Sequence, residues 1–195
     1  LMMAAHDTIT SSATSLIYLL AKHPEWQDKI REECLSVAPA GTALSMEQLG
    51  KLELTEMAFK EALRLIPPVP SMPRRAVKEF TFRNYTIPAG TSVAVSPSFV
   101  HKMEKHWPNP EQFDPLRFTP ENSAGRHKYA WVPFGGGAHM CLGLHFAYMQ
   151  IKILMHAVLT QNRVVLQGGP DYEPKWQVFP IPQPKDGLPV RLERL

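Results

Sequence analysis

The chain has 195 residues, enough to bury a sizeable core, and its 44% hydrophobic and 20% charged fractions are ordinary for a globular protein. A net charge of +3 is too small to argue for nucleic acid, and the sequence patterns of RNA- and DNA-binding modules are absent. Two cysteines, Cys34 and Cys141, exclude a disulfide framework and lack the Cys-x-x-Cys spacing of a structural metal site.

Residues 1–23 read as one long helix with little surface charge, hence largely buried. Its length invites a membrane reading, but His6, Asp7 and six Ser/Thr residues speak against one. The chain begins with Leu and nothing in it resembles a signal peptide. The expectation is one partial domain over 1–195 with its N-terminal part missing. A soluble cytoplasmic location is preferred, with a membrane anchor in the missing part left open. Pro24 suits the first turn of a second helix, 25–37, with Trp26, Ile30 and Cys34 on one face and Glu25, Asp28, Lys29, Arg31, Glu32 and Glu33 on a wet one. Cys34 reads as a passive thiol. Ser45 to Gln48 fits a capping box, and a further helix over 52–66 stops at Pro67-Pro68.

The pattern then changes, since 17 of the 19 prolines lie from Pro67 to Pro189. Residues 80–87 alternate, Pro88-Ala89-Gly90 turns and 91–95 runs back, which predicts a β-hairpin. A short helix over 96–103, an aperiodic Pro-aromatic meander over 106–120 and a helix over 142–159 follow. Strand-like pieces at 164–166, 176–179 and 188–192 close the chain.

Three groups of residues carry candidate chemistry. Gly135-Gly136-Gly137 can take positive φ and admit close backbone approach, and Cys141 follows at the start of the 142–159 helix. A thiol there is favoured as thiolate, ready to bind a metal or attack an electrophile. Glu61 and Arg64 share a helix face at i, i+3 and can form an ion pair, on the surface or buried. Asp7 beside Thr8 in a nearly uncharged helix needs a reason, because burying a carboxylate is costly. It could simply pair with an arginine.

The run Phe134-Gly135-Gly136-Gly137-Ala138-His139-Met140-Cys141-Leu142-Gly143 resembles the cysteine-ligand loop of the cytochrome P-450 haem-thiolate monooxygenases. Glu61-Ala62-Leu63-Arg64 before Pro67-Pro68 resembles their K helix, and Ala4-Ala5-His6-Asp7-Thr8 their I helix. The resemblance covers essentially the whole chain, in the order I, J, K helices, hairpin, meander, Cys loop, L helix and C-terminal strands. It implies a mainly α fold with a small β component, the C-terminal half of a cytochrome P-450 domain.

The same resemblance implies a set of roles. Cys141 is the fifth ligand of the iron of haem b, and Phe134, Gly135, Gly137, Gly143 and Ala147 cradle the haem. Arg74 and His139 meet its propionates, with Arg75 an alternative for the former. Glu61, Arg64 and Arg117 brace the Cys loop. Thr8 hydrogen-bonds dioxygen and Asp7 relays protons, and Ala5 departs from the Gly that usually precedes this pair. Ala4, Val69, Pro70, Ser71, Met72, Val178 and Phe179 wall a hydrophobic small-molecule substrate, with Met2, Met3 and Ile9 as further contributors. Electrons come from NAD(P)H through a ferredoxin and its reductase or a diflavin reductase, which Lys102, Lys105, Arg126 and Lys128 would attract. The implied activity inserts one atom of O2 into the substrate. A peroxide-dependent haem-thiolate enzyme and a non-catalytic haem-binding fragment are the nearest alternatives. A cysteine-nucleophile hydrolase lacks a placed base, His139 and His145 being the nearest imidazoles.

Overall fold

Pro24 cannot continue the helix before it, and the first two helices meet there. The computed structural model describes the backbone of residues 2–195 and side chains from residue 5 onward, so the expectations for Ala4, Met2 and Met3 as pocket residues lie outside the described side chains. Helix α1 spans Met2–Lys22 and α2 spans Pro24–Val37, with Pro24 in its first turn. Helix α3 (Met46–Gly50) starts at the expected capping box, Ser45 and Gln48 each accepting the other's backbone N–H. Helix α4 (Glu53–Leu65) ends at Ile66, ahead of Pro67-Pro68. The meander adds α5 (Pro97–Val100), a 3-10 turn (Pro115–Phe118) and α6 (Pro120–Ser123). After a second 3-10 turn (Gly137–His139), α7 covers Leu144–Leu159.

The core is where α1, α2, α4 and α7 meet. Leu16, Leu20, Ile30, Phe59, Leu63, Ile151, Met155 and Leu159 are sealed from solvent there. Two buried polar side chains lock this packing by bonding across it. Buried Gln27 pairs both ways with Val164, donating to its carbonyl at 3.1 Å and accepting its N–H at 2.7 Å. Lys152 reaches Glu56 at 2.7 Å and the Leu49 carbonyl at 3.1 Å, tying α7 to α4 and α3.

Glu33 departs from the wet face expected for it. Helix α4 has no capping side chain at Leu52, and Glu33 supplies one from α2. Its carboxylate accepts from the Leu54 N–H (2.5 Å), the Thr55 N–H (2.9 Å) and the Thr55 hydroxyl (2.6 Å).

The expected hairpin over 80–95 is instead split between two ladders. Strand β2 (Phe80–Phe82) turns at Arg83, which sits at φ +52°, and pairs with β3 (Tyr85–Ile87). Strand β4 (Ser92–Val95) pairs antiparallel with β1 (Met72–Arg75), Arg74 opposite Val93. The Gly90 N–H bonds the Ala76 carbonyl at 2.7 Å and the Ala76 N–H bonds the Thr91 carbonyl at 2.9 Å. The Pro88–Gly90 turn therefore steers the chain onto β1 rather than back along β3. In the tail, β5 (Asn162–Leu166) pairs with β8 (Val190–Arg194), and β6 (Trp176–Gln177) with β7 (Gln183–Pro184). Among the described residues no helix is long and apolar enough to cross a membrane.

Glu33→Ala removes the only side-chain cap found on α4 among the described residues. It is expected to cost roughly 1–2 kcal/mol, with Glu33→Gln intermediate, read as the urea midpoint of the protein that carries this chain.

Candidate functional site

The site rests on a buried ion pair. Glu61 and Arg64 are one helical turn apart on α4, both fully buried. Arg64 donates from Nε to Glu61 Oε2 (2.7 Å) and from Nη2 to Oε1 (2.8 Å), a bidentate fork. Its remaining hydrogens go to the carbonyls of His101 (2.9 Å), Pro110 (2.7 Å) and Gln112 (3.1 Å), which fold the meander around the guanidinium. Glu61 Oε1 also accepts the Asp114 N–H at 3.0 Å and lies 3.2 Å from Arg117 Nε. The Arg117 contact is a close ion pair, its angle outside that of a hydrogen bond. Burial pushes the Glu61 carboxyl upward, and the two guanidiniums and the Asp114 N–H hold it back. The structure thus joins the three residues expected to form a brace.

His101 carries the brace onward. Its carbonyl holds Arg64, and its ring Nε2 accepts the Val132 N–H at 2.9 Å, two residues before Phe134. The ring is sealed from solvent, and burial pushes its pKa down to about 4. Trp107 runs parallel to this link, with its Nε1–H on the Ala130 carbonyl at 3.3 Å and its face under Arg64 and Arg126. Neither residue was a sequence candidate. The available signal was a Trp and one of two histidines, His101 and His106, in the run after α5.

The Cys loop closes on itself where the Cys141 N–H bonds the Phe134 carbonyl at 2.9 Å. Gly135 (φ +72°) and Gly137 (φ +63°) take the left-handed conformations that the turn demands. A Cβ at Gly135 would lie 3.3 Å from the His139 carbonyl and 3.6 Å from Met72 Sδ, and one at Gly136 would press to 3.2 Å on the Tyr129 ring. Helix α7 begins at Leu144 rather than Leu142, with Gly143 as its N-cap, so the exposed Cys141 sits two residues ahead of the cap. The Phe134 ring packs on Tyr148 of α7, and Tyr148 meets Phe59 of α4 edge-on.

A cavity of about 390 Å³ opens beside the thiol. Cys141, Phe134, Gly135, His139, Gly143 and Ala147 line it from the loop and α7, Val69 and Met72 from the segment after α4, and Thr8 and Ala5 from α1. Other expected residues lie elsewhere. Asp7 faces a second groove and pairs with His6. Pro70 and Val178 line a third cavity of about 660 Å³. Ser71 and Gly137 are exposed, Arg74 is exposed and donates to the Pro73 carbonyl, and Phe179 is 84% exposed. Of the four basic residues, Arg126 is committed to the Trp107 face and to the carbonyls of Arg117 and Asn122. Lys102 pairs with Glu111, and Lys105 and Lys128 remain exposed.

A thiol facing an apolar slot, a loop whose Gly135 and Gly136 leave little room for a Cβ and a hydroxyl on the opposite helix suit a flat, hydrophobic, metal-centred group. Residues 1–190 match the cytochrome P450 family, and the chain belongs to it. It is 42% identical over 193 residues to the putative cytochrome P450 136 of Mycobacterium tuberculosis, covering 98% of this chain and 39% of that protein. It is 39% identical to human cytochrome P450 4X1, covering 100% of this chain and 38% of that protein. The chain thus spans about two-fifths of the length of these relatives. Among solved structures it superposes on the retinoic acid-bound cyanobacterial CYP120A1 with a TM-score of 0.89 at 35% identity, over 99% of this chain and 44% of that one. Cytochrome P450s bind haem b, and the residues around Cys141 fit that group.

Glu61→Ala strands a buried guanidinium and is expected to cost roughly 3–5 kcal/mol in chemical denaturation. His101 predicts an acid limit. Its folded pKa lies below that of a free imidazole, so the unfolded chain binds the extra proton, and its contribution is complete above pH about 6.5. That contribution falls by about 3 kcal/mol as pH drops from 6.5 toward 4, and His101→Gln should flatten this part of the stability profile.

Proposed function

We propose that this chain is the C-terminal, haem-ligating portion of a longer haem-thiolate monooxygenase that inserts one atom of O2 into a hydrophobic organic substrate. The observation that carries this reading is the placement of Cys141 and Thr8 on one cavity, a thiol from the loop and a hydroxyl from the facing helix. Bound haem with a cysteine ligand supplies the oxygen-activating chemistry.

The chain's own residues do the rest. Cys141 is the iron ligand, held in place by its N–H on the Phe134 carbonyl. Phe134, Gly135, Gly137, Gly143 and Ala147 cradle the cofactor, and the brace of Glu61, Arg64 and Arg117 keeps the loop in register through His101 and Val132. His139, on the cavity, and Arg74, close to it in sequence at Met72, meet the two propionates. Thr8 orients dioxygen, and Asp7 delivers protons to it. Val69 and Met72 exclude water beside the reacting face, and Pro70 and Val178, on the third cavity, with the exposed Ser71 and Phe179, contact the substrate farther from it. Val178 and Phe179 are exposed apolar side chains that a substrate or the rest of the protein would cover. Electrons from NAD(P)H arrive through a ferredoxin or a diflavin reductase, with the exposed Lys105 and Lys128 as basic residues to meet an acidic donor. The Thr8 hydroxyl on the cavity favours dioxygen over a peroxide-only reaction.

The test is the carbon monoxide difference spectrum of the reduced protein that carries this chain. A thiolate-type Soret band that disappears in Cys141→Ser is the expected result. A band typical of imidazole ligation would overturn the reading.

A further inference from the structure

Helix α4 ends against two prolines. The carbonyls of Leu63 and Arg64 would ordinarily accept from the N–H groups four residues on, and those residues are Pro67 and Pro68, which have none. The Ala62 carbonyl, one residue earlier, is served by the Ile66 N–H at 2.9 Å. Leu63 and Arg64 are sealed from solvent, so bulk water does not supply the missing donors. A buried carbonyl without a donor costs free energy, and a helix C-terminus concentrates that need. What lies against both carbonyls is the ring of His101.

That ring is wholly buried. Its Nε2 accepts the Val132 N–H at 2.9 Å and so carries no hydrogen, and a neutral imidazole then holds its one hydrogen on Nδ1. Nδ1 has no hydrogen bond of full geometry among the described residues. With Nε2 turned to Val132, the contact with the Arg64 and Leu63 carbonyls falls to Nδ1, one hydrogen placed before two acceptors. Arg64 answers through the backbone, its Nη1 donating to the His101 carbonyl at 2.9 Å. The ring makes a separate bridge, from the proline-stripped end of α4 to the chain entering the Cys loop. The charged groups of the surrounding elements are Glu61 and Arg64 on α4, Arg117 and Arg126 on the meander and the Lys102–Glu111 pair, while residues 130–132 bring none. Burial, and after it the positive charge of Arg64, keep the ring neutral against the pull of the two carbonyls.

We propose that His101 is a positioning residue for the Cys141 thiol: as the Nδ1–H tautomer its ring caps the end of α4 and holds the Val132 N–H, and protonation of the ring releases the Cys loop. The proposal rests on the reading of Cys141 as the haem ligand given above. A proton from solvent, admitted by local opening, adds to Nε2, and no electron moves. The lone pair that accepted from Val132 is then used up, and two N–H groups face each other where one bond stood. Val132 loses its acceptor two residues before Phe134, whose carbonyl holds the Cys141 N–H. The Trp107 bond to the Ala130 carbonyl and the Trp131 bond to the Lys60 carbonyl remain, so the release is confined to the last residues before the loop. The brace also remains, because the His101 carbonyl that Arg64 needs is untouched. Brace and loop are thus separable at one imidazole.

The experiment uses the full protein with haem bound, reduced and under carbon monoxide. ¹⁵N NMR of the His101 ring near neutral pH is expected to show the hydrogen on Nδ1 and a bare Nε2. The second readout is the rate at which the thiolate-type Soret band is lost as pH is lowered from about 7 to about 5. The protonated fraction of a ring whose pKa lies at about 4 grows about tenfold per pH unit over this range, and the wild-type rate is expected to follow it. His101→Gln keeps an acceptor for Val132 and a donor for the carbonyls but takes up no proton, so its rate should stay flat within about twofold. His101→Phe keeps the bulk of the ring without either bond, and should lose the band on the order of tenfold faster than wild type at neutral pH. Hydrogen exchange of the Val132 amide reports the same bond without the spectrum: fast in His101→Phe, slow in wild type and in His101→Gln. Hydrogen on Nε2 in wild type, or a pH slope in His101→Gln equal to that of wild type, overturns the proposal. A wild-type protein with no thiolate band removes the reading of Cys141 instead, and the tautomer and the Val132 amide then judge the His101 bridge by themselves.

Discussion

Arg64 has five N–H hydrogens, and all five are spent inside the protein. Two fix Glu61, and three gather carbonyls from residues 37 to 48 positions away along the chain. A guanidinium placed this way does more than neutralise a carboxylate. It sets where the meander passes, because irregular backbone without a sheet or helix must find other partners for its buried carbonyls. Lysine could not replace it, having three donors on a point charge rather than a planar fork. The cost of burying the pair is met by saturating it, and Asp114 and Arg117 complete the Glu61 side.

From that pair the order spreads in one direction. The same His101 whose carbonyl accepts from Arg64 accepts the Val132 N–H through its ring. Trp107, stacked under Arg64, holds the Ala130 carbonyl. The stretch entering the Cys loop is thus held by two bonds that both trace to the brace, and Trp131 adds a third to the Lys60 carbonyl of α4. On the exit side the aromatic sequence Phe134, Tyr148, Phe59 returns to α4. Both ends of the loop are referred to one helix, so the cysteine is positioned by α4 as much as by α7. The Cys141 thiol itself stays exposed on the cavity.

What the sequence made legible was local. The glycine run, the Glu-x-x-Arg pair and the Ser45 capping box each write their geometry within a few residues. The features that escaped are those decided by distant partners. Glu33 looks like any solvent-facing helix glutamate until α4 arrives without a cap of its own. Residues 91–95 have a strand's composition, but their partner is the stretch containing Pro73, which conceals a strand because proline donates no ladder hydrogen bond. His101 is one imidazole among eight, and only its burial between Arg64 and Val132 sets it apart. The Asp7-Thr8 pair was legible as a pair, while the 100° between the two residues, which sends them to different spaces, appears once α1 has neighbours on both sides.

That angular separation gives α1 its significance. A helix with polar residues on both faces would be poorly placed in a core, and α1 avoids the conflict by lying between two unlike spaces over its first half and inside the core over its second. Leu16, Leu19 and Leu20 are buried, while His6 and Asp7 stand in the groove. The hydroxyls of Thr10 and Ser12 bond back to the carbonyls four residues before them, His6 and Thr8, and so meet their polar needs within the helix. The carboxylate of Asp7 cannot be satisfied in that way, and its partner is the preceding residue, His6, instead.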